Sequence, residues 1–216
     1  MRAGRISVGV VSTAKYYAPR LIAAFAKVNP GVEVSISVGN RAEMVAQLRD
    51  YAIDVVLMGR PPMDFPIESA SFGPHPQVVI APPDHPLAGR HAIDKTELTN
   101  ENFIVREEGS GTRSVFEYFF SNVVVRQPKI SIEIGSNETI KQAVIAGLGI
   151  ALISAHTIEA EVETGRLIVL DVKGLPIIRR WFIVRRADRP FGPIGQAIWD
   201  FTVAEGPNLL PKLMNP

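Results

Sequence analysis

The order of apolar and amphipathic segments in the first sixty residues constrains the fold of this chain more than any other feature. Residues 5–11, 32–38 and 53–58 are short apolar runs rich in β-branched side chains, which is typical of buried strands. The two segments between them space their apolar residues as helices do. A strand–helix–strand–helix–strand order requires parallel strand pairing and right-handed crossovers. The sequence therefore predicts an α/β fold.

Both helices of this part carry signals at their amino ends. Ser12 and Thr13 are expected to cap the first helix, with Pro19 in its first turn, where no backbone N–H is needed. Asn40 and Glu43 have the spacing of a capping box at the start of the second helix. The apolar residues that we expect to form the two helix faces are Leu21, Ile22, Phe25 and Val28, and Met44, Val45 and Leu48.

The chain beyond residue 60 predicts a second unit of strands and helices. Residues 71–76 are loop-like or a short strand, and further strands are expected at residues 78–80, 103–105, 129–134, 167–170 and 181–184. Helices are expected after Ser110, after Asn137 (Ile140, Val144, Leu148), after Ala155 (Ile158, Val162, closed by Gly165), and around Ile194, Ile198 and Phe201, the last ending at Gly206-Pro207. Two small α/β units predict two lobes.

The turns that follow the predicted strands are polar or contain glycine. In open α/β sheets, ligands bind beyond the carboxyl ends of the strands, and helix N-termini attract anions. The turns concerned are Ser12/Thr13, Gly39/Asn40, Gly59/Arg60, the loop from Glu108 to Arg113, and Ser136/Asn137. Together they predict a cleft lined by helix N-termini and arginines, suited to a small anion.

The loop within the stretch REEGSGTRS has the richest chemistry of these turns. Its glycines let the backbone approach a ligand, and Arg113 is a permanently charged, forked donor that suits phosphate or carboxylate. The alternative is a glycine loop and helix cap, with Arg113 on a solvated face. Glu107 and Glu108 are adjacent and are interpreted as a solvated acidic step rather than a catalytic pair.

Two other features also have plainer explanations. Arg60 could form a structural ion pair near Asp54 or Asp64 instead of contacting a ligand. Gly147 and Gly149 lack the third glycine of a dinucleotide-binding motif and follow a helix rather than a strand, so we expect them to serve close packing.

The composition argues against several classes of function. The chain has no cysteine, its four histidines lack metal-ligand spacing, and no hydrolase or P-loop motif is present, so we expect neither a metal site nor an enzyme. With 23 basic and 22 acidic residues, this chain is too balanced to be a strong nucleic-acid binder by itself. It has no apolar run of transmembrane length and no signal peptide, which predicts a cytoplasmic protein without a membrane partner.

Four segments of the sequence resemble one known family. RISVGVVST, GNRAEMVAQLRDYAIDVVLMG, VVIAPPDHPLA and VIAGLGIALIS together resemble the effector-binding domain of LysR-type transcriptional regulators, over essentially the whole chain. The APPDHPLA and AGLGIALIS segments are the most specific. MGRPP and REEGSGTR look like the Calvin-cycle (CbbR) group and its relatives that govern inorganic-carbon uptake.

The resemblance implies a type 2 periplasmic-binding-protein-like fold of two Rossmann-like lobes joined by two crossover strands. Lobe I would comprise residues 1–76 and 184–216, and lobe II residues 77–183, with the crossovers near residues 77–80 and 181–184. Full-length members carry an N-terminal winged helix-turn-helix domain and a linker helix. Neither is in this sequence, so we expect it to be the regulatory portion, with DNA contacted only through the missing domain.

The resemblance also implies a ligand and partners. The family's effector contacts fall on Ser12, Thr13, Asn40, Arg60, Ser110, Gly111, Thr112, Arg113 and Asn137. Two arginines and a GSGT loop fit a phosphorylated metabolite, and the group's effectors are ribulose 1,5-bisphosphate, 2-phosphoglycolate, phosphoenolpyruvate or NADPH. We expect a homodimer through this domain, a tetramer at full length, and an effect on RNA polymerase. The alternatives are a transport-type solute-binding protein of the same fold and an enzyme on this scaffold.

Overall fold

The computed structural model describes residues 4–124 and 126–212. Its strands are β1 (Gly4–Val11), β2 (Val32–Gly39), β3 (Val55–Met58), β4 (Ile67–Ala81), β5 (Asn102–Arg106), β6 (Lys129–Ile134), β7 (Ala151–Ser154), β8 (Ile168–Val169) and β9 (Ile177–Arg186). Its α-helices are α1 (Ala18–Val28), α2 (Arg41–Arg49), α3 (Lys95–Leu98), α4 (Gly111–Phe120), α5 (Asn137–Ile145), α6 (Glu159–Glu163) and α7 (Pro193–Leu209).

These elements divide into two compact units. Unit 1 contains residues 4–75 and 179–211, and unit 2 contains residues 76–124, 126–178 and Lys212. Unit 1 has one core, which includes Leu21, Phe25 and Trp181. Unit 2 has two, one around Phe103 and one around Ile153. Each unit therefore buries apolar side chains of its own.

The sheet of unit 1 follows the predicted βαβαβ order. β1 pairs in parallel with β2 on one side and with β3 on the other, which confirms the parallel pairing. The sheet continues with β9, which runs antiparallel to β3, and then β4. Because β1, β2 and β3 are parallel, their carboxyl ends lie at one edge of the sheet, called here the carboxyl edge of unit 1.

The amino ends of α1 and α2 agree only in part with the sequence signals. The Asn40 side chain accepts a hydrogen bond from the Glu43 amide at 3.0 Å, and the Glu43 carboxylate accepts one from the Asn40 amide at 2.8 Å, which confirms the capping box. The prediction that Ser12 and Thr13 cap the first helix is wrong. A 3-10 turn (Ala14–Tyr16) intervenes, Thr13 makes no side-chain capping bond, and Pro19 lies in the first turn of α1 as expected.

The core-facing sides of the two helices are as predicted, with one exception. Leu21 and Phe25 of α1 and Met44 and Leu48 of α2 are fully buried. Val28 is 65% exposed, so its assignment to the apolar face is wrong. It is the last residue of α1, where the helix has passed the edge of the core.

Strand β4 is longer than the sequence indicated. It runs without interruption over the segment that we expected to be a loop or short strand, including Pro74 and Pro76. Proline removes only a backbone donor, and an extended backbone satisfies its fixed φ, so these two prolines do not interrupt the strand.

Unit 2 contains one parallel strand pair and one antiparallel set. β5 pairs in parallel with β6, and β4 pairs antiparallel with β7 and β8. β7 was not among the predicted strands, because it is only four residues long and follows a glycine-rich turn. Leu148 was assigned to the apolar face of the helix after Asn137, but α5 ends at Ile145 and Leu148 is 51% exposed.

The glycines between α5 and β7 differ in role. A Cβ on Gly149 would lie 2.4 Å from the backbone oxygen of Asn102, and the next residue exchanges two backbone hydrogen bonds of 2.9 Å with β5. Close packing is thus confirmed at Gly149. A Cβ on Gly147 would have no atom within 4 Å, so the packing prediction is wrong there. Glycine is favoured at this position by the backbone φ of +78° instead.

Helix α7 continues past the predicted stop. Gly206 and Pro207 lie inside it rather than after it. A Cβ on Gly206 would lie 2.7 Å from the ring of Phe72, so this glycine serves helix packing instead of termination. Over the residues that the structure describes, no helix has the length and apolarity needed to cross a membrane.

Candidate functional site

The carboxyl edge of unit 1 gathers the three turns that the sequence singled out. The Ser12 amide donates a 2.8 Å hydrogen bond to the Gly39 carbonyl, so the ends of β1 and β2 are tied together. Thr13 follows and is only 7% exposed. Arg60 lies two residues beyond the end of β3 and is exposed.

Two arginines meet at the amino end of α2. The side chain of Arg41 donates from Nε to the carbonyl oxygen of Arg60 at 3.2 Å. Arg41 is half-buried, and its burial, together with the charge of Arg60, lowers the pKa of its guanidinium, while Asp64 acts in the opposite sense. A cation in the first turn of a helix also opposes the helix dipole. This place therefore carries an excess of positive charge.

The carboxylates nearest in sequence to Arg60 are engaged with other arginines. Asp64 forms its ion pair with Arg49, and Asp54 pairs with Arg189 at 3.2 Å. Among the residues that the structure describes, neither Arg41 nor Arg60 forms an ion pair. The alternative that Arg60 is held in a structural pair with Asp54 or Asp64 is therefore not supported.

The corresponding edge of unit 2 carries the GSGT loop. Gly109 has a φ of +82°, which turns the chain into α4, and the Ser110 hydroxyl accepts a 3.2 Å hydrogen bond from the Thr112 amide as the helix cap. Gly111 is the first residue of the helix, and Ser110 and Thr112 are both buried. The first backbone N–H groups of a helix have no intrahelical partner, so this turn presents donors.

Arg113 is already engaged within unit 2. Its Nε donates to Glu117 at 2.7 Å, and its Nη1 donates to Glu133 at 3.2 Å and to the carbonyl of Arg106 at 3.2 Å. Its side chain is 16% exposed, so it does not lie on a solvated face either. Arg113 ties α4 to the ends of β5 and β6, and this role leaves it a weaker candidate for ligand contact than Arg60.

A buried arginine orients Asn137. Arg106 is 2% exposed. It pairs with the Glu107 carboxylate through Nε at 2.7 Å and Nη2 at 2.9 Å. Its Nη1 donates to Asn137 Oδ1 at 2.7 Å. The Nδ2 donor of Asn137 is buried and has no hydrogen-bond partner among the described residues. Ser136, not Asn137, caps α5, by accepting a 3.3 Å hydrogen bond from the Thr139 amide. The prediction that Glu107 is solvated is wrong, because Arg106 binds it.

Sequence reasoning missed two residues of these clusters. Arg41 follows the capping asparagine and was hidden by that role. Arg106 ends an apolar strand, where an arginine is unusual and could have been noticed. Its partner Asn137 lies 31 residues away, so only the folded structure identifies the contact.

A cavity of about 290 Å³ near the start of α7 is also rich in arginine but does not have the same character. Each arginine that lines it has a carboxylate partner: Arg5 with Glu33, Arg185 with Glu68, Arg186 with Asp188, and Arg189 with Asp54. These pairs balance in charge, so the cavity is a structural ion-pair network.

The fold and the polar helix starts define the class of protein. Two α/β units whose strands end in capped helices and hydrogen-bond donors make up a ligand-binding domain of the periplasmic-binding-protein type. The family described as LysR substrate binding domain matches residues 1–207, and the chain belongs to this family. It is thus an effector-binding domain of the LysR type, as the sequence resemblance indicated.

Known relatives place the chain close to regulators of carbon fixation. It is 54% identical over 216 residues to the HTH-type transcriptional regulator CbbR of Sinorhizobium medicae, which covers 100% of this chain and 69% of that protein. It is 36% identical over 204 residues to the HTH-type transcriptional activator CmpR of Synechocystis, which covers 94% of this chain and 67% of that protein. These relatives are transcriptional regulators, which is the first of the three functions considered from the sequence.

Solved structures agree with this assignment. The regulatory domain of Synechocystis CcmR in complex with 2-PG matches with a TM-score of 0.89 and 38% identity, over 93% of this chain and 96% of that one. The effector-binding domain of QuiR in complex with shikimate matches with a TM-score of 0.84 over 95% of this chain and 98% of that one. At 20% identity, the second match supports the fold alone.

Proposed function

We propose that this domain binds a small phosphorylated metabolite and thereby controls carbon-fixation genes as part of a longer regulator. The observation that carries the proposal is the excess of positive charge at the amino end of α2. Arg60 and Arg41 meet there without a carboxylate partner among the described residues. A helix N-terminus and guanidinium groups are the usual elements of a phosphate site.

Unit 2 supplies the second set of groups in this proposal. Ser110, Gly111 and Thr112 present the first turn of α4, and Asn137 at the start of α5 has an unpartnered, buried Nδ2 donor. A buried donor without a partner costs about 1–3 kcal/mol, and an anionic ligand would recover that cost. In unit 1, the proposed effector contacts are Ser12, Thr13, Asn40 and Arg60.

The candidate effectors are ribulose 1,5-bisphosphate, 2-phosphoglycolate, phosphoenolpyruvate and NADPH. All of them carry phosphoryl groups, for which the forked donors of arginine are well suited. The CcmR regulatory domain, which is 38% identical to this chain, was solved in complex with 2-PG, and this favours 2-phosphoglycolate.

The proposed response is a shift between conformations. An effector changes the regulator only if it binds one arrangement better than another. In the proposed full-length protein, homodimers formed through this domain assemble into tetramers. DNA is contacted by an N-terminal winged helix-turn-helix domain, and the effector changes the recruitment of RNA polymerase.

Isothermal titration calorimetry and thermal shift with the four phosphorylated compounds and benzoate test the ligand class. At about 100 times its dissociation constant, a ligand adds roughly 2.7 kcal/mol, which raises the melting temperature by about 5–10 °C for a chain of this size. Arg60→Gln is expected to weaken binding by about tenfold to a hundredfold, because a charged hydrogen bond is lost.

The matched control is Arg90→Gln, which removes an arginine that is paired with Glu97 at 2.8 Å in unit 2. It is expected to leave the affinity unchanged. A wild-type domain that responds to benzoate and to none of the phosphorylated compounds would refute the proposed ligand class.

A further inference from the structure

We infer that Arg41 is a specificity-determining residue, which makes the site select a doubly charged phosphoryl group over a singly charged anion. The inference rests on the proposed function and deepens it, since it assigns to Arg41 a part that neither the sequence pattern nor the family resemblance gave it.

The position of Arg41 supports this role. Its Nε is held 3.2 Å from the Arg60 carbonyl, so its guanidinium is fixed beside the segment that carries Arg60. The carboxylates that could neutralise it have other partners: Glu43 closes the capping box on Asn40, and Asp64 pairs with Arg49. Within residues 4–124 and 126–212, Arg41 therefore forms no ion pair, although the charge of Asp64 acts on it in the sense opposite to Arg60.

The arrangement is unfavourable without a ligand. Two like charges are close together, one of them half-buried and in the first turn of α2, where the helix dipole repels a cation. Burial lowers the pKa of Arg41 most, the charge of Arg60 lowers it further, and the charge of Asp64 raises it. An anion at this place would relieve the repulsion that Arg60 and the helix dipole exert on Arg41.

The charge of the ligand decides how much is relieved. A carboxylate neutralises one guanidinium, whereas a phosphoryl dianion neutralises two. A phosphate monoester takes its second charge with a pKa of about 6, so the same ligand can be offered as a monoanion or a dianion by changing the pH. With both arginines present, the affinity should follow the appearance of the dianion.

The test is calorimetric titration of 2-phosphoglycolate between pH 5.2 and pH 7.5 against the wild type, Arg41→Gln and Arg41→Lys. The wild type is expected to bind about tenfold more tightly at the higher pH. Arg41→Gln should lose about tenfold in affinity at pH 7.5 and most of the pH dependence, and should bind the dicarboxylate malonate relatively better. Arg41→Lys, which keeps the charge without the fork, should recover the pH dependence in part.

Arg90→Gln is the matched control, since it removes an arginine that is paired with Glu97 in unit 2 and leaves the Arg49–Asp64 pair intact. It should keep the wild-type affinity and pH profile. Without ligand, Arg41→Gln should melt within about 3 °C of the wild type, because the loss of the hydrogen bond to the Arg60 carbonyl is offset by the removal of a cation from a helix N-terminus. A larger drop would assign Arg41 a structural role and overturn the inference.

Failure of the two proposals can be told apart. If the wild type binds no phosphorylated compound, the proposed function fails and the inference with it. If the wild type binds 2-phosphoglycolate and Arg41→Gln binds it with the same affinity and pH profile, only the inference is overturned.

Discussion

The buried ion pair between Lys141 and Glu161 provides a quantitative test of how unit 2 is held together. Lys141 Nζ lies 2.8 Å from the Glu161 carboxylate and donates to the Thr157 carbonyl at 2.9 Å. The two side chains are only 6% and 14% exposed. Lys141 lies one turn after Asn137 in α5, so the pair anchors the helix that presents the Asn137 donor to the segment that follows β7.

Lys141→Met keeps the length of the side chain and removes its charge. Glu161 then remains buried without its cation, and breaking a buried pair in this way costs about 3–5 kcal/mol. For a chain of this size the melting temperature should fall by about 6–20 °C. Replacing both residues by methionine removes the isolated charge, and such replacements are often neutral or stabilising, so most of the loss should be recovered.

Urea denaturation of the two single variants, the double variant and the wild type measures the coupling energy, which should be about 3 kcal/mol or more. Lys27→Met, at an exposed position of α1, controls for the loss of a lysine charge. If Lys141→Met costs less than about 1 kcal/mol, as exposed pairs do, the assignment of this pair as a buried anchor is refuted.

Three further predictions concern a cap, a histidine and two glycines. Asn40→Ala should cost about 1 kcal/mol through loss of the α2 cap, whereas Asn40→Asp should keep the cap and the stability but repel the effector. Melting curves of the two variants measure the capping role, and titration with the effector measures the binding role. Equal affinities of the two variants and the wild type would argue against ligand contact. Burial lowers the pKa of His156 to about 4 from 6.5, so the stability that it contributes is complete above pH 6.5 and is lost as the pH falls towards 4. The loss is at most about 3 kcal/mol. Between pH 7.5 and pH 4.5, the free energy of unfolding should drop less in His156→Phe than in the wild type. In the control His91→Gln, at an exposed position, the drop should equal that of the wild type. Gly149→Ala should cost more than about 2 kcal/mol because its Cβ would meet the backbone of β5, and Gly147→Ala only about 1 kcal/mol for its positive φ; equal melting temperatures would contradict this.

The parts of the fold that follow from neighbours in sequence could be predicted. The parallel order of β1, β2 and β3 follows from periods of two and 3.6 in the apolar residues, and the Asn40 capping box needs only four consecutive residues. Where local signals were ambiguous, prediction failed. Residues 71–76 were interpreted as a loop or short strand and lie within β4, and Gly206-Pro207 was interpreted as the end of a helix and lies inside α7. The tendency of proline to break regular structure depends on the surrounding chain.

The candidate site divides in the same way. Asn40, Ser110 and Asn137 stand at or next to helix starts, where a polar residue after an apolar strand already indicates a binding edge. Which arginines are available to a ligand could not be predicted in this way. Arg113 looked available and is held by two glutamates, while Arg41 looked like an ordinary helix residue and has no carboxylate partner among the residues described.

The sequence by itself determined the α/β class, the starts of α2 and α4, and the resemblance to LysR-type effector-binding domains, because each of these depends on residue types at short, regular spacings. Only the tertiary structure decided which charges remain uncompensated. The hydrogen bond of Arg106 to Asn137 forms across 31 residues of chain, and the ion pair of Lys141 with Glu161 forms across 20. Asp54 and Asp64 pair with arginines other than Arg60. Whether a cation is free to bind a ligand depends on distances of a few ångströms between residues remote in sequence, which local patterns do not contain.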